Sequence, residues 1–320
     1  MWGWTTPYAV AGGVGGLEAF WLYTRYYLGR PEDRARVINE AFTYLLAWVI
    51  ALSIYSFIES GLFYTAASWL SSMAGVDLAG FGITYNGSVQ AFINHIGVFL
   101  KLQWDEVFEM WLNYWTLVTL FKFITGIGVG FGYSTAGVQV SVNPSALAGW
   151  IQNYAWSFST GLEWLMADLA FLYGAWVIWS GLYFTGAWIW GVSLIVPRTT
   201  RPIGASLASA FLTLSISLPT LAGVTGLLVT KYTGFSVLVP CSMVELLRSP
   251  SSCLLGFKAA ASTLTSLLAY FQVGLNMPYY GYELMVWDAV LDVAYVITVT
   301  FTAWLARLID ERSPSLLTVP

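Results

Sequence analysis

The sequence predicts an all-α membrane protein, a polytopic bundle of about seven transmembrane helices that forms a single integral membrane domain over residues 1–320. Of the 320 residues, 58% are hydrophobic and only 9% are charged. The few arginines and lysines cluster between long apolar runs instead of being spread along the chain. A hydrocarbon core about 30 Å thick needs about 20 apolar residues per helix, so this composition can supply six or seven crossings.

The apolar runs favour helices over the strands of a membrane barrel. They are continuous and rich in Leu, Ala, Trp and Gly, and they lack the alternation of apolar and polar residues that marks barrel strands. Because the bilayer core offers no water to the backbone, each crossing segment has to satisfy its own amide groups, as a helix does.

Seven apolar segments are the predicted crossings, and a more polar stretch near the C-terminus is predicted to form an external cap. The third segment is shorter than a crossing normally requires, so a re-entrant or surface segment is the alternative there. The fifth is aromatic and would exceed the bilayer thickness as one straight helix. The predicted crossings are residues 7–28, 40–63, 91–103, 107–133, 163–196, 203–230 and 284–305, and the cap is residues 231–283.

The basic residues predict which ends of these spans face the cytoplasm. Cytoplasmic loops carry the excess of Lys and Arg, and two loops, residues 30–36 and 197–202, hold five arginines between apolar spans. We therefore expect a multi-pass protein of the plasma membrane with its N-terminus outside and its C-terminus in the cytoplasm. The five arginines are Arg30, Arg34, Arg36, Arg198 and Arg201.

Cys241 and Cys253 are the two cysteines of the chain, and both fall in the predicted external cap. No histidine or further cysteine lies near them, so they do not suggest a four-ligand zinc site. A disulfide between them is favoured over two free thiols, and such a bond belongs on the oxidising, external side of a membrane.

Four acids are candidates for a proton or cation pathway, because an unpaired charge inside a bilayer is costly. Asp288 and Asp292 are four residues apart and share one face of the predicted last span, where they would repel each other unless one were protonated, paired or hydrated. Glu163 and Asp168 lie in the first turns of the long aromatic span. Wetted, structural carboxylates in the outer half of the spans are the alternative interpretation.

Several missing motifs limit the function. The chain has no Gly-x-x-x-x-Gly-Lys-Ser/Thr loop, so we do not expect it to couple ATP hydrolysis to transport by itself. It also lacks nucleophile elbows and clusters of metal ligands. We therefore expect a protein that is not an enzyme and that holds neither a cofactor nor a metal.

One pattern along the chain resembles a known family. A Trp-rich long span runs into Arg198-Thr199-Thr200-Arg201-Pro202-Ile203-Gly204-Ala205-Ser206-Leu207, and a large external segment follows near the C-terminus. With seven spans and no motor, this layout resembles the polytopic inner-membrane subunit of type IV secretion and conjugation machines. It is most similar to the crenarchaeal counterpart of that subunit, the CedA family of the Ced DNA-import system. The resemblance covers the general layout and about residues 161–221.

This resemblance implies a channel or platform for DNA transfer in an archaeal plasma membrane. It implies an oligomer that works with a separate ATPase and with small pilin-like membrane proteins, and it places the five cytoplasmic arginines opposite the ATPase or incoming DNA. The alternative for these arginines is that they only set the topology. Two other functions stay open: a secondary transporter or ion channel that uses the four acids, and a structural scaffold of a membrane complex.

Overall fold

The computed structural model describes residues 5–126, 131–135, 138–142, 149, 156–232, 248–249 and 264–310. Within these residues the chain forms eight α-helices, a single 3-10 turn over Pro31–Asp33 and one β-hairpin. The helices are α1 (Thr5–Leu28), α2 (Arg34–Glu59), α3 (Leu62–Met73), α4 (Val89–Gly126), α5 (Trp156–Phe184), α6 (Ala187–Leu194), α7 (Arg201–Tyr232) and α8 (Leu264–Ile309), and the strands are β1 (Phe131–Thr135) and β2 (Val138–Val142).

Four helices of the described chain are long and apolar enough to cross a membrane: α2, α5, α7 and the Asn276–Ile309 part of α8. A helical membrane protein is therefore what the structure supports, whereas the predicted count of seven spans is not confirmed. Helix α1 matches the predicted first segment closely but is not among the four. Its glycines and tyrosines, together with Glu18 and Arg25, lower its hydropathy.

The third and fourth predicted crossings, residues 91–103 and 107–133, are one helix in the structure. Helix α4 runs for 38 residues without a break. Lys101, Asp105 and Glu106 lie where the two predicted crossings meet, but no glycine or proline interrupts residues 98–125, so the helix continues through these charged residues. The helix also ends at Gly126, earlier than predicted.

The fifth predicted crossing, residues 163–196, is two helices in the structure. Helix α5 begins at Trp156, and the chain breaks before α6 at Gly186, whose φ is 72°. A positive φ at this position favours glycine, which has no Cβ to collide with the backbone. The break divides the long aromatic segment, so it need not exceed the bilayer as one straight helix.

Two further boundaries differ from the prediction. Helix α8 begins at Leu264, so the part of the predicted cap from residue 264 to 283 is helical. The strands β1 and β2 form an antiparallel hairpin in which Phe131 pairs with Val142, a small addition to a fold that is otherwise helical in the described residues. The alternating run Val-Gln-Val-Ser-Val in β2 is the local pattern that fits a strand.

The residues divide into two compact units, and four helices contribute residues to both. Unit 1 comprises residues 1–99, 172–224 and 293–320, and unit 2 comprises residues 100–171 and 225–292. Unit 1 has an aromatic core in which the Trp188 and Phe211 rings stack with their centroids 5.2 Å apart. Beside them, the buried Trp179 donates its indole N–H to Ser215 Oγ at 2.9 Å.

Glycines allow helices to approach closely within each unit. In unit 1, a Cβ at Gly204 would lie 2.5 Å from the backbone nitrogen of Ile195, so α7 folds back tightly on the end of α6. In unit 2, a Cβ at Gly281 of α8 would overlap the backbone of Ser157 and Phe158 at the start of α5. Small residues at such contacts let membrane helices pack backbone to backbone.

Candidate functional site

Glu40 is the centre of a charged cluster at one end of unit 1. Its carboxylate accepts a hydrogen bond from Arg25 at 3.1 Å and forms ion pairs with Arg36 at 3.3 Å and with Arg198 at 3.5 Å. The three arginines come from α1, from the first turn of α2 and from the turn between α6 and α7. These contacts bring the two predicted basic loops to the same end of the unit, which we call the basic end.

Glu18 of α1 binds the turn between α6 and α7, which contains Arg198. The backbone N–H of Arg198 donates to both carboxylate oxygens of Glu18, at 3.1 and 3.2 Å. An acid that binds a backbone N–H in this way fixes the position of the turn and offsets the positive charge around it.

Arg201, one of the five predicted contact residues, is buried. Its guanidinium donates to the backbone oxygens of Ile195 at 2.9 Å and of Val196 at 3.2 Å, just after the end of α6. These are carbonyls that the end of a helix leaves without intrahelical partners. Its burial favours a structural role in which the side chain holds the turn together, and the predicted contact of Arg201 with a partner stays a prediction.

Arg30 and Arg34 are exposed at the basic end. The guanidinium of Arg34 lies 5.7 Å from the centre of the Tyr26 ring, and neither arginine forms an ion pair within the described residues. Of the five predicted contact residues, these two therefore present their charge to the surroundings most directly.

A pocket of about 660 Å³ opens beside Glu40. One side is formed by apolar residues of α1, and the other by polar residues of α2 and of the α6–α7 turn. Three arginines and two glutamates are among the lining residues, which include Val14, Leu17, Glu18, Trp21, Arg36, Asn39, Glu40, Thr43, Tyr44, Arg198 and Arg201.

Three of the four predicted pathway acids are neighbours in unit 2. The Asp168 carboxyl of α5 lies within hydrogen-bonding reach of the Asp288 carboxyl of α8, and Asp292 is close enough to act on Asp288 electrostatically. Asp168 is only 6% exposed, whereas Asp292 is exposed. A hydrogen bond between two carboxyl groups requires a proton on one of them, so this pair is suited to hold a shared proton.

A metal is a poorer match to these acids than a proton. Among the residues that the structure describes, no three His, Cys, Asp or Glu side chains are arranged so that they could hold a metal ion.

Glu163, the fourth predicted acid, lies in a different environment. One of its carboxylate oxygens accepts the indole N–H of Trp111 at 3.1 Å and the hydroxyl of Ser159 at 3.2 Å. It lines a small cavity of about 190 Å³ with aromatic residues of α4 and α5. These contacts favour a packing role, since they satisfy the carboxylate locally.

The predicted disulfide falls on Cys241 and Cys253, which lie outside the described residues. It stays a prediction. Glu18 and Glu40 are not among the predicted site residues, although Glu40 is four residues after Arg36 on a helix, a spacing that can form an ion pair.

Comparison of the chain with protein families, curated proteins and solved structures gives no match to any of them.

Proposed function

We propose that this protein is the membrane platform or channel subunit of a DNA-transfer machine. The observation that supports it most is the basic end of unit 1, where the two arginine-rich loops meet and Arg30 and Arg34 remain exposed. The sequence resemblance to the CedA family and to type IV secretion subunits points to the same function. In this proposal the basic end faces the cytoplasm of an archaeal cell, and the chain works as an oligomer with a separate ATPase and small pilin-like proteins.

Phosphate contacts give this proposal a quantitative test. Full-length protein in lipid nanodiscs is titrated with a fluorescent single-stranded oligonucleotide at several salt concentrations. Each phosphate neutralised on a single strand contributes about 0.7 to the slope of log affinity against log salt concentration. The double variant Arg30→Gln/Arg34→Gln should therefore bind the oligonucleotide more weakly, and the magnitude of that slope should fall by about 1.4.

The matched control is Arg307→Gln, which removes an exposed arginine at the end of α8 and should leave the slope unchanged. In cells, deletion of the gene should abolish DNA exchange, and the wild-type gene should restore it. Absence of oligonucleotide binding by the wild-type protein, together with unchanged DNA exchange in the deletion strain, would contradict the proposal.

The acid cluster favours a second candidate, a proton-coupled transporter or channel. Asp168 and Asp288 come from two helices that are apolar enough to cross a membrane, and intramembrane carboxyl groups commonly mark proton relays. In proteoliposomes with a pH-sensitive dye inside, Asp288→Asn should abolish proton flux. Glu163→Gln is the control that keeps it, because Glu163 lies in its own aromatic cavity. If protein-free vesicles show the same proton flux as vesicles with the wild-type protein, this function is excluded.

A further inference from the structure

The pocket at the basic end joins an apolar wall to a positively charged wall. Val14, Leu17 and Trp21 of α1 form the apolar side, and Leu17 is 70% exposed although it is a leucine. Arg36 and Arg198 stand on the other side, with side chains 71% and 62% exposed. The volume of about 660 Å³ falls within the range of about 300–1,000 Å³ that is usual for small-molecule pockets.

Positive charge exceeds negative charge around this pocket. Three arginines and two glutamates line it, and Arg25, which pairs with Glu40, is a fourth arginine beside it, so positive charges exceed negative ones by two. The two carboxylates do not repel an incoming anion strongly. Glu40 is shared by three arginines, and Glu18 accepts the backbone N–H of Arg198.

The pocket also lies at the level where lipid headgroups are expected. Its charged side lies at the start of α2, a helix that is apolar enough to cross a membrane, and its apolar side extends towards the middle of α1. Trp21, Tyr23, Tyr26 and Tyr27 lie within the last eight residues of α1. Tryptophan and tyrosine are enriched at the membrane–water interface, so these rings mark the same level.

We propose that this pocket binds a membrane lipid through its anionic phosphate headgroup. The phosphate lies against Arg36 and Arg198, and the hydrocarbon chain of the lipid follows Val14 and Leu17 along α1. A free phosphate would make no use of the apolar wall, whereas a lipid uses both sides. Basic pockets between membrane helices are known to bind anionic headgroups. This inference does not depend on DNA transfer, which concerns the exposed Arg30 and Arg34.

The test measures lipid binding to the full-length protein by native mass spectrometry. Protein in a neutral detergent is titrated with dioctanoyl phosphatidylglycerol and, separately, with dioctanoyl phosphatidylcholine, which has the same chains but no net charge. We expect one tightly bound phosphatidylglycerol per chain and clearly weaker binding of phosphatidylcholine. Arg36→Gln should weaken phosphatidylglycerol binding about fivefold, because an arginine near an anionic membrane surface contributes ~1 kcal/mol.

The matched control is Arg34→Gln, which removes an exposed arginine two residues away that does not line the pocket. A second variant, Leu17→Gln, tests the apolar wall at an exposed position where no core packing is lost. It should also weaken phosphatidylglycerol binding about fivefold, and the thermal unfolding midpoint of each variant verifies that it is folded.

Three outcomes would overturn the lipid proposal. Equal binding of the two lipids would remove the role of the headgroup charge, and equal effects of Arg36→Gln and Arg34→Gln would remove the role of the pocket. Full displacement of phosphatidylglycerol by millimolar inorganic phosphate, with no effect of Leu17→Gln, would show a site for a soluble phosphate compound instead.

Discussion

Asp168 of α5 lies within hydrogen-bonding reach of Asp288 of α8, two helical turns beyond the point where Gly161 and Gly281 bring the two backbones together. Each acid follows its glycine by seven residues. The same step on both helices means that α5 and α8 run parallel at this contact. The glycines set the close approach, and the carboxyls meet because of it.

The acid pair leads to a prediction about stability. In Asp288→Asn, the amide N–H can donate to Asp168, so the hydrogen bond forms without a shared proton. We expect this to stabilise the protein at pH 8 by about 1 kcal/mol, which raises the thermal unfolding midpoint by about 2–4 °C. Differential scanning fluorimetry in detergent measures the shift.

Asp292→Asn is the control for this variant, because Asp292 is exposed and acts on Asp288 only electrostatically. It should change the midpoint by less than Asp288→Asn does. A lower midpoint for Asp288→Asn at pH 8 would mean that the charge of Asp288 stabilises the fold, contrary to the pairing described above.

The glycine contact between α5 and α8 leads to a second prediction. In Gly281→Ala, the new methyl group would collide with the backbone of Ser157 and Phe158, which cannot move as a side chain can. Overpacking of this kind costs about 1–3 kcal/mol, so the unfolding midpoint should fall by several degrees. Gly174→Ala is the control, because a Cβ at Gly174 has nothing within 4 Å and alanine favours a helix. A drop of the same size in both variants would contradict the close contact.

Some helices could be predicted closely from sequence, and others could not. The predicted span 203–230 agrees with α7 (Arg201–Tyr232) because Pro197 and Pro202 delimit its start and Lys231 its end. The break at Gly186 could not be foreseen. Gly181 and Gly191 have neighbours in sequence as apolar as those of Gly186, yet both lie inside helices. Only the tertiary fold decides which of these glycines adopts a positive φ.

The candidate sites were also predictable from sequence only in part. The spacing of Asp288 and Asp292 is visible in one helix, but the approach of Asp168 depends on how α5 packs against α8, which the sequence does not state. The cluster at Glu40 joins Arg25 and Arg198 from distant parts of the chain. The excess of basic residues in cytoplasmic loops singled out Arg198 as a candidate. That Glu40 pairs with it is evident only from the structure.

A third prediction concerns Cys241 and Cys253 and rests on the sequence alone. They enclose thirteen positions inclusive, so a disulfide between them should stabilise the segment by roughly 3 kcal/mol on the chain-entropy model. Mass spectrometry of a non-reduced digest should recover the two cysteine peptides as one linked species. Recovery of both peptides with free thiols, from protein alkylated before lysis, would exclude the bond.

The last prediction concerns Arg201, the buried arginine of the α6–α7 turn. Its side chain donates to the backbone oxygens of Ile195 and Val196, so Arg201→Met would leave buried carbonyls without these donors while keeping most of the side-chain volume. An unsatisfied buried polar group costs about 1–3 kcal/mol, and we expect the unfolding midpoint to fall by at least about 4 °C. Arg36→Met is the control: it also removes an arginine from the basic end, but an exposed one whose ion pair contributes about 1 kcal/mol or less. Equal midpoints for the two variants would show that the hydrogen bonds of Arg201 do not hold the turn.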